Sequence, residues 1–153
     1  MYRRERLPDI TSQALTQSAL SLDWVGMENI DVPISMAVDG DEPQQALAKA
    51  SIFVSVDDPA AKGIHMSRLH RRLNDLSEGS CTQGALDKLL KECVESQSGI
   101  SNNARIDLAF DLLLKKPALL SGEFGYQSYK TSISGEIVNG KYCYTLGLTI
   151  PWV

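Results

Sequence analysis

The chain has 153 residues, of which 43% are hydrophobic and 22% charged, and a formal net charge of −4; this composition excludes a disordered or fibrous chain and allows one globular domain with its own core. The acidic balance argues against broad nucleic-acid binding, which needs a strongly basic domain, while leaving room for one local cationic patch. Three cysteines cannot all pair within the chain and none forms a Cys-x-x-Cys, so a reduced, cytoplasmic setting is expected, and no run approaches the ~20 apolar residues of a bilayer-spanning helix, so no membrane role is expected either.

Residues 1–26 are rich in Ser, Thr and Gln without sustained periodicity and read as an N-terminal arm, with residues 27–153 as the folded module. From Ile30 the set Ile30, Val32, Ile34, Met36 and Val38 alternates with its neighbours, which predicts a half-buried strand, kept to a sheet edge by Pro33. The breaker Asp39-Gly40-Asp41-Glu42-Pro43 follows. A second alternating set, Ala48, Ala50, Ile52, Val54 and Val56, predicts a strand over Ala46–Val56 that closes a hairpin with the first. Asp57-Asp58-Pro59 stops it.

The period then changes from two to about 3.6. Met66, Leu69, Leu73 and Leu76 recur at helical spacing, and Ser80-Cys81-Thr82-Gln83 reads as a capping box opening a second helix that carries Leu86, Leu89, Leu90, Cys93 and Val94 on one side. Each helix has one apolar stripe, so both can lie across a single sheet face. After Ser98-Gly99, the residues Ile106, Leu108, Phe110, Leu112 and Leu114 alternate strictly with polar or small neighbours, the clearest strand in the chain. Gln127–Val138 and Lys141–Ile150 flank Asn139-Gly140, a dipeptide suited to the positive φ angles of a type I′ turn, and pair as a hairpin. Strands around a central helix pair give an α+β fold, an antiparallel sheet with two helices packed on one face.

Chemistry concentrates in the run Gly63-Ile64-His65-Met66-Ser67-Arg68-Leu69-His70-Arg71-Arg72. A helix start presents unpaired N–H groups and partial positive charge, so His65, Ser67, Arg68 and Arg71, with Lys62 and Arg72 nearby, form a candidate grip for a phosphate-bearing ligand. The competing interpretation is a solvated basic helix face. His65 and His70 stand five residues apart, ~140° round a helix, which is not the stacked spacing of a helical zinc pair. Cys81 and Cys93 read as small buried hydrophobes, and Cys143, between two tyrosines, has no evident activating partner. Glu28 and Asp31 read as structural. No catalytic residue and no metal ligand is assigned within this chain.

Five stretches carry a resemblance. Leu7-Pro8-Asp9-Ile10, the segment Asp23-Trp24-Val25-Gly26-Met27-Glu28-Asn29-Ile30-Asp31-Val32-Pro33, Ile64-His65-Met66-Ser67-Arg68-Leu69, Phe110-Asp111 followed by Lys115-Lys116-Pro117-Ala118-Leu119, and Gly125-Tyr126-Gln127-Ser128-Tyr129 stand in the order seen in GTP cyclohydrolases of type IB. From about residue 7 onward the chain resembles that family. The resemblance implies a tunnelling fold (T-fold) of order ββααββ, whose subunits pair sheets edge to edge into a homo-oligomer, expected to be a tetramer. It implies conversion of GTP to 7,8-dihydroneopterin triphosphate and formate in folate and pterin biosynthesis; because triphosphate is strongly anionic, the basic cluster above, His65, Ser67, Arg68 and Arg71, is the candidate to hold it.

The family also implies a divalent metal (Zn, Mn or Fe). Its ligands begin with a Cys-Pro-Cys segment that follows the strand ending here in Thr149-Ile150-Pro151-Trp152-Val153, so the chain is expected to be the N-terminal module of a longer bimodular enzyme and inactive in isolation. Two other functions stay open. One is a non-catalytic T-fold assembly module; the other is a related purine or deazaguanine enzyme such as a nitrile reductase, for which the sequence offers no dinucleotide loop and no activated cysteine.

Overall fold

In the computed structural model, residues 24–38, 42–58, 60–61, 63–97 and 99–151 are described. Lys62 and the segment 1–23, most of the expected arm, lie outside them. In chain order the elements are β1 (Trp24–Met36), β2 (Gln44–Ser55), α1 (Met66–Leu76), α2 (Gln83–Ser96), β3 (Ala104–Pro117), β4 (Phe124–Val138) and β5 (Lys141–Thr149). The strands form one five-stranded antiparallel sheet in the order β1-β2-β3-β4-β5. The observed order is thus ββααβββ, one strand more than the ββααββ expected, because β3 stands by itself before the β4–β5 hairpin.

β1 begins at Trp24, so Trp24–Gly26, grouped by the sequence with the arm, belong to the sheet. A bulge explains the difference. Met27 pairs with Ile52 and Ile30 with Ala50, so one extra residue sits in β1, and Asn29 takes the left-handed φ of 57°. Its N–H donates to Ser51 Oγ at 3.2 Å. The extra residue flips the alternation: Val25 and Met27 upstream share a face with Ile30, Val32 and Ile34 downstream, which a strict period of two cannot follow.

One face of the sheet carries the core. Val32, Ile34, Ala48, Ala50, Ile52, Val54, Ala104, Ile106, Leu108 and Phe110 are buried against Leu69, Leu73 and Leu76 of α1 and Leu86, Leu89, Leu90 and Cys93 of α2. Both helical stripes therefore land where their spacing predicts. The cap of α2 does not. Thr82, rather than Ser80, is the N-cap, its Oγ1 accepting the Ala85 N–H at 3.1 Å. Ser80 instead forms a parallel bridge with Ser35, and Cys81 N–H donates to Ser35 O at 2.7 Å, which ties the α1–α2 connection to the outer edge of β1.

The β4–β5 turn has φ of 51° at Asn139 and 76° at Gly140, the positive pair of a type I′ turn. In β5 the register places Tyr142, Tyr144, Leu146 and Leu148 on the helix-bearing face, and the Tyr144 hydroxyl donates to Asp87 Oδ1 of α2. Leu146 and Leu148 are 73% and 50% exposed. The opposite sheet face is mostly polar, with Lys49, Ser51, Arg105, Asp107, Ser134 and Glu136 lying across neighbouring strands.

Candidate functional site

The start of α1 is fixed by contacts that converge from β2, α2 and the α2–β3 connection. Ser55, fully buried at the end of β2, donates to Asp57 Oδ2 at 2.6 Å and accepts the Asn103 N–H at 3.1 Å. Asp57 Oδ2 also accepts the Asn102 N–H at 2.7 Å, and the Asp57 N–H donates to Ile100 O at 2.8 Å. This network closes the exit of β2 against the entry of β3, so the chain leaves toward α1 from an anchored point. The buried hydroxyl costs little because every bond it can make is made.

His65 is the N-cap of α1, with no side-chain cap bond. Its backbone is held instead by Gln97, which follows α2 and is fully buried: Gln97 Oε1 accepts the His65 N–H at 2.8 Å while Gln97 Nε2 donates to His65 O at 3.3 Å. His65 O also accepts the Arg68 N–H at 3.1 Å, closing the first turn. The side chains of His65, Ser67, Arg68 and Arg71 are exposed.

The guanidinium groups behave unequally. Arg68 Nη1 donates to Ser96 O at 2.6 Å, in the last turn of α2, where a cation meets the negative end of the helix dipole. Arg72 Nη1 pairs with Glu92 at 3.0 Å and its Nη2 with Asp75 at 3.3 Å. Arg71 has no ion pair among the described residues. Arg68, Arg71 and Arg72 line, with Glu95 and Ser96, an open groove of about 290 Å³ between the two helices. Of the four predicted residues, Arg68 and Arg71 line this groove while His65 and Ser67 do not, and Arg68 and Arg72 are engaged in holding α1 to α2. Ser96, Gln97 and Glu92 are the partners that the sequence did not single out; a polar helix end looks solvated until its tertiary contact is known.

The remaining candidates lie apart. His70 Nδ1 stands 3.3 Å from Asn74 Nδ2 on the exposed side of α1. Cys81 and Cys93 are buried and Cys143 exposed. Burial raises the Cys81 thiol pKa and pushes that of Cys93 up to about 12, with Arg72 opposing and Glu92 adding to the second shift. Neither buried thiol is a ready thiolate. Among the described residues no group of three or more His, Cys, Asp or Glu side chains stands where it could hold a metal ion, and no helix is long and apolar enough to cross a membrane. A second, smaller concavity of about 170 Å³ lies on the polar sheet face among Arg105, Ser134, Glu136, Cys143 and Thr145, where Arg105 is paired with Asp107 at 3.2 Å.

Two of the motif stretches meet in space. Lys115 and Lys116 of β3 pair in register with Tyr126 and Gly125 of β4, and their ammonium groups lie over the rings of Phe124 at 4.3 Å and Tyr129 at 5.2 Å. Lys115 and Lys116 thus sit on aromatic faces.

Comparison with known proteins adds identity to this geometry. The chain is 47% identical over 146 residues to "GTP cyclohydrolase FolE2" of Hahella chejuensis, a match covering 95% of this chain and 48% of that protein. It is 48% identical over 147 residues to the protein of the same name from Pseudoalteromonas atlantica, covering 95% and 48%, and 38% identical to that from Citrobacter koseri over the same shares. The chain spans about half the length of these curated relatives. The family described as "Type I GTP cyclohydrolase folE2" matches residues 7–153, and with that span of agreement the chain belongs to the type I GTP cyclohydrolase folE2 family.

Proposed function

We propose that this chain serves GTP cyclohydrolysis, the hydrolytic opening of guanine that yields 7,8-dihydroneopterin triphosphate and formate, in folate biosynthesis in the cytoplasm. The observation that carries this reading is the family match over residues 7–153, with relatives near half identity named for that activity. The antiparallel sheet with both helices on one face supports a T-fold, and the uncovered apolar side chains of β5 support a homo-oligomer, a tetramer by analogy, built through sheet edges.

Within this chain the role assigned to His65, Ser67, Arg68 and Arg71 is to bind the anionic triphosphate. The Ser67 hydroxyl and the Arg71 guanidinium are exposed donors of the kind that phosphate oxygens accept. Arg68 sits at the groove wall, where its remaining N–H groups complement Arg71. The described residues do not fit a divalent cation: the two histidines are separate, and the buried thiols hold their protons. Following the resemblance, the metal of the activity, Zn, Mn or Fe, is proposed to be held by the part of the relatives that this chain does not span.

A second reading is favoured by the engagement of Arg68 and Arg72 with α2. In it the chain is a non-catalytic module that builds the assembly and positions a catalytic half. One experiment separates the two: release of formate from GTP, measured with added Mn²⁺ or Zn²⁺ on the intact protein and on residues 1–153 alone. Formate from the intact protein is expected, and its absence under every metal would remove the cyclohydrolase reading. Formate from the 153 residues alone would remove the module reading.

A further inference from the structure

We propose that Gln97 is a positioning residue for substrate binding, its buried amide setting the backbone of the His65–Arg68 segment so that the exposed donors there meet a triphosphate. The proposal rests on the reading of that segment as the anion grip, and goes beyond it by naming what holds the grip in place.

The geometry is that of a side chain standing in for a neighbouring strand. Gln97 has no exposed surface, and its amide makes bonds in both directions to one residue, accepting the His65 N–H at 2.8 Å and donating to His65 O at 3.3 Å. A third contact, Nε2 to Ser96 Oγ at 3.3 Å, fixes the amide's orientation, and Ser96 Oγ in turn donates to Cys93 O at 2.8 Å in the body of α2. One residue earlier, Ser96 O accepts from Arg68 Nη1 at 2.6 Å. The end of α2 thereby holds the backbone of one candidate ligand residue and the side chain of another. No side chain caps the α1 N-terminus locally, since His65 makes no cap bond, so the position of this first turn depends on Gln97.

A long, flexible Gln is a costly choice for a fully buried site unless its amide is needed, because ordering its rotamers and burying two polar groups are both unfavourable when packing is the only return. A Met or Leu would fill the space. The two-way bond to a single backbone residue is something only a carboxamide supplies here: a carboxylate keeps the acceptor and loses the donor, and a thioether loses both.

The test compares Gln97→Met and Gln97→Glu in the intact protein, reading affinity for inorganic triphosphate by calorimetry, the KM and kcat for GTP, and the melting temperature. Gln97→Met is expected to weaken triphosphate binding and raise the KM roughly tenfold with kcat changed far less, the scale of losing hydrogen bonds that fix a group in place. Gln97→Glu, which still accepts from the His65 N–H but turns its second oxygen toward His65 O, is expected to weaken triphosphate binding as well, and gives a second reading of the same position beside the Met variant. A lowered melting temperature with unchanged triphosphate affinity in both variants would overturn the proposal. Arg71→Ala, run beside them, separates the two levels. If it weakens triphosphate binding while the Gln97 variants do not, only the positioning role is lost; if it too has no effect, the anion grip fails and the positioning role fails with it.

Discussion

Gly26 and Gly135 show how single residues in this sheet are dictated by what lies across from them. A Cβ at Gly26 would run into the Ile52 carbonyl oxygen, and one at Gly135 would run into the ring of Tyr144, its partner in β5. The ring lies over the glycine, and its hydroxyl then reaches Asp87. A glycine inside a strand pattern is a signal of such close approach, but which neighbour approaches is invisible without the register. Cys93 is the opposite case, since its place in the α2 stripe marks it as a core residue and the structure buries it completely. Burial pushes its thiol up to about 12 from an ordinary 9.0, so the unfolded chain loses this proton near pH 9 while the folded chain keeps it until about pH 12. The contribution to stability is therefore intact below pH 9 and is lost as pH rises through that window. Cys93→Ala, destabilised by its cavity at neutral pH, is expected to close part of its gap to the parent above pH 9, by up to about 1.4 kcal/mol per pH unit. Urea unfolding of both proteins from pH 7 to 11 measures it; a gap constant over that range would show that the thiol titrates normally. Tyr144, also raised by burial and by Asp87, is present in both chains and cancels in the difference.

Elements were more legible than residues because periodicity sums over many positions. The stripes Leu69, Leu73, Leu76 and Leu86, Leu89, Leu90, Cys93 needed no structure to be assigned, and the alternation of β2 and β3 survived intact. Boundaries failed where two local signals competed. Ser80-Cys81-Thr82-Gln83 contains both a capping-box pattern starting at Ser80 and a second hydroxyl at Thr82, and the bridge from Ser80 to Ser35 on β1 decides between them by drawing the earlier residue into the sheet. β3 and β4 likewise run farther than their alternation suggested, to Pro117 and from Phe124, because cross-strand stacking of Lys115 on Phe124 supports pairing beyond the core. The cap assignment has a direct consequence. Thr82→Ala is expected to destabilise the fold by about 1 kcal/mol by leaving the Ala85 N–H without its acceptor, whereas Ser80→Ala, whose bridge to Ser35 is made by backbone groups, stays within about 0.5 kcal/mol of the parent. Chemical denaturation of the two variants checks the order, and a larger loss from Ser80→Ala would restore the capping box.

At the scale of the whole molecule, the sheet is asymmetric in what covers it. Helices shield β1 to β4 on one face, yet β5 continues the same apolar row past their reach, leaving Leu146, Leu148 and Ile150 in water at 73%, 50% and 72% exposure. Among the described residues β5 pairs only with β4, so its outer edge also presents unpaired backbone groups. An apolar row beside an open edge is a liability in a monomer and is ordinarily covered. The sequence marks Lys141–Ile150 as a hairpin strand but not that the two helices stop short of it, since the width of a helix layer against a sheet is a packing outcome and not a local property. The same limit applied to the candidate site: the basic run was evident, while the engagement of Arg68 and Arg72 by the end of α2 depended on where α2 came to lie. If the β5 row is an assembly surface, charging it should separate the subunits without unfolding them. Leu146→Glu with Leu148→Glu is expected to convert an oligomer into a species of monomer mass by sedimentation, with helical and strand circular dichroism retained, because both positions are already solvated in the single chain and cost it little, within about 0.5 kcal/mol each. A parent protein that sediments as a monomer at micromolar concentration, or a double variant that stays assembled, would show that β5 is not the contact, and the open edge would then have to be protected by some other segment.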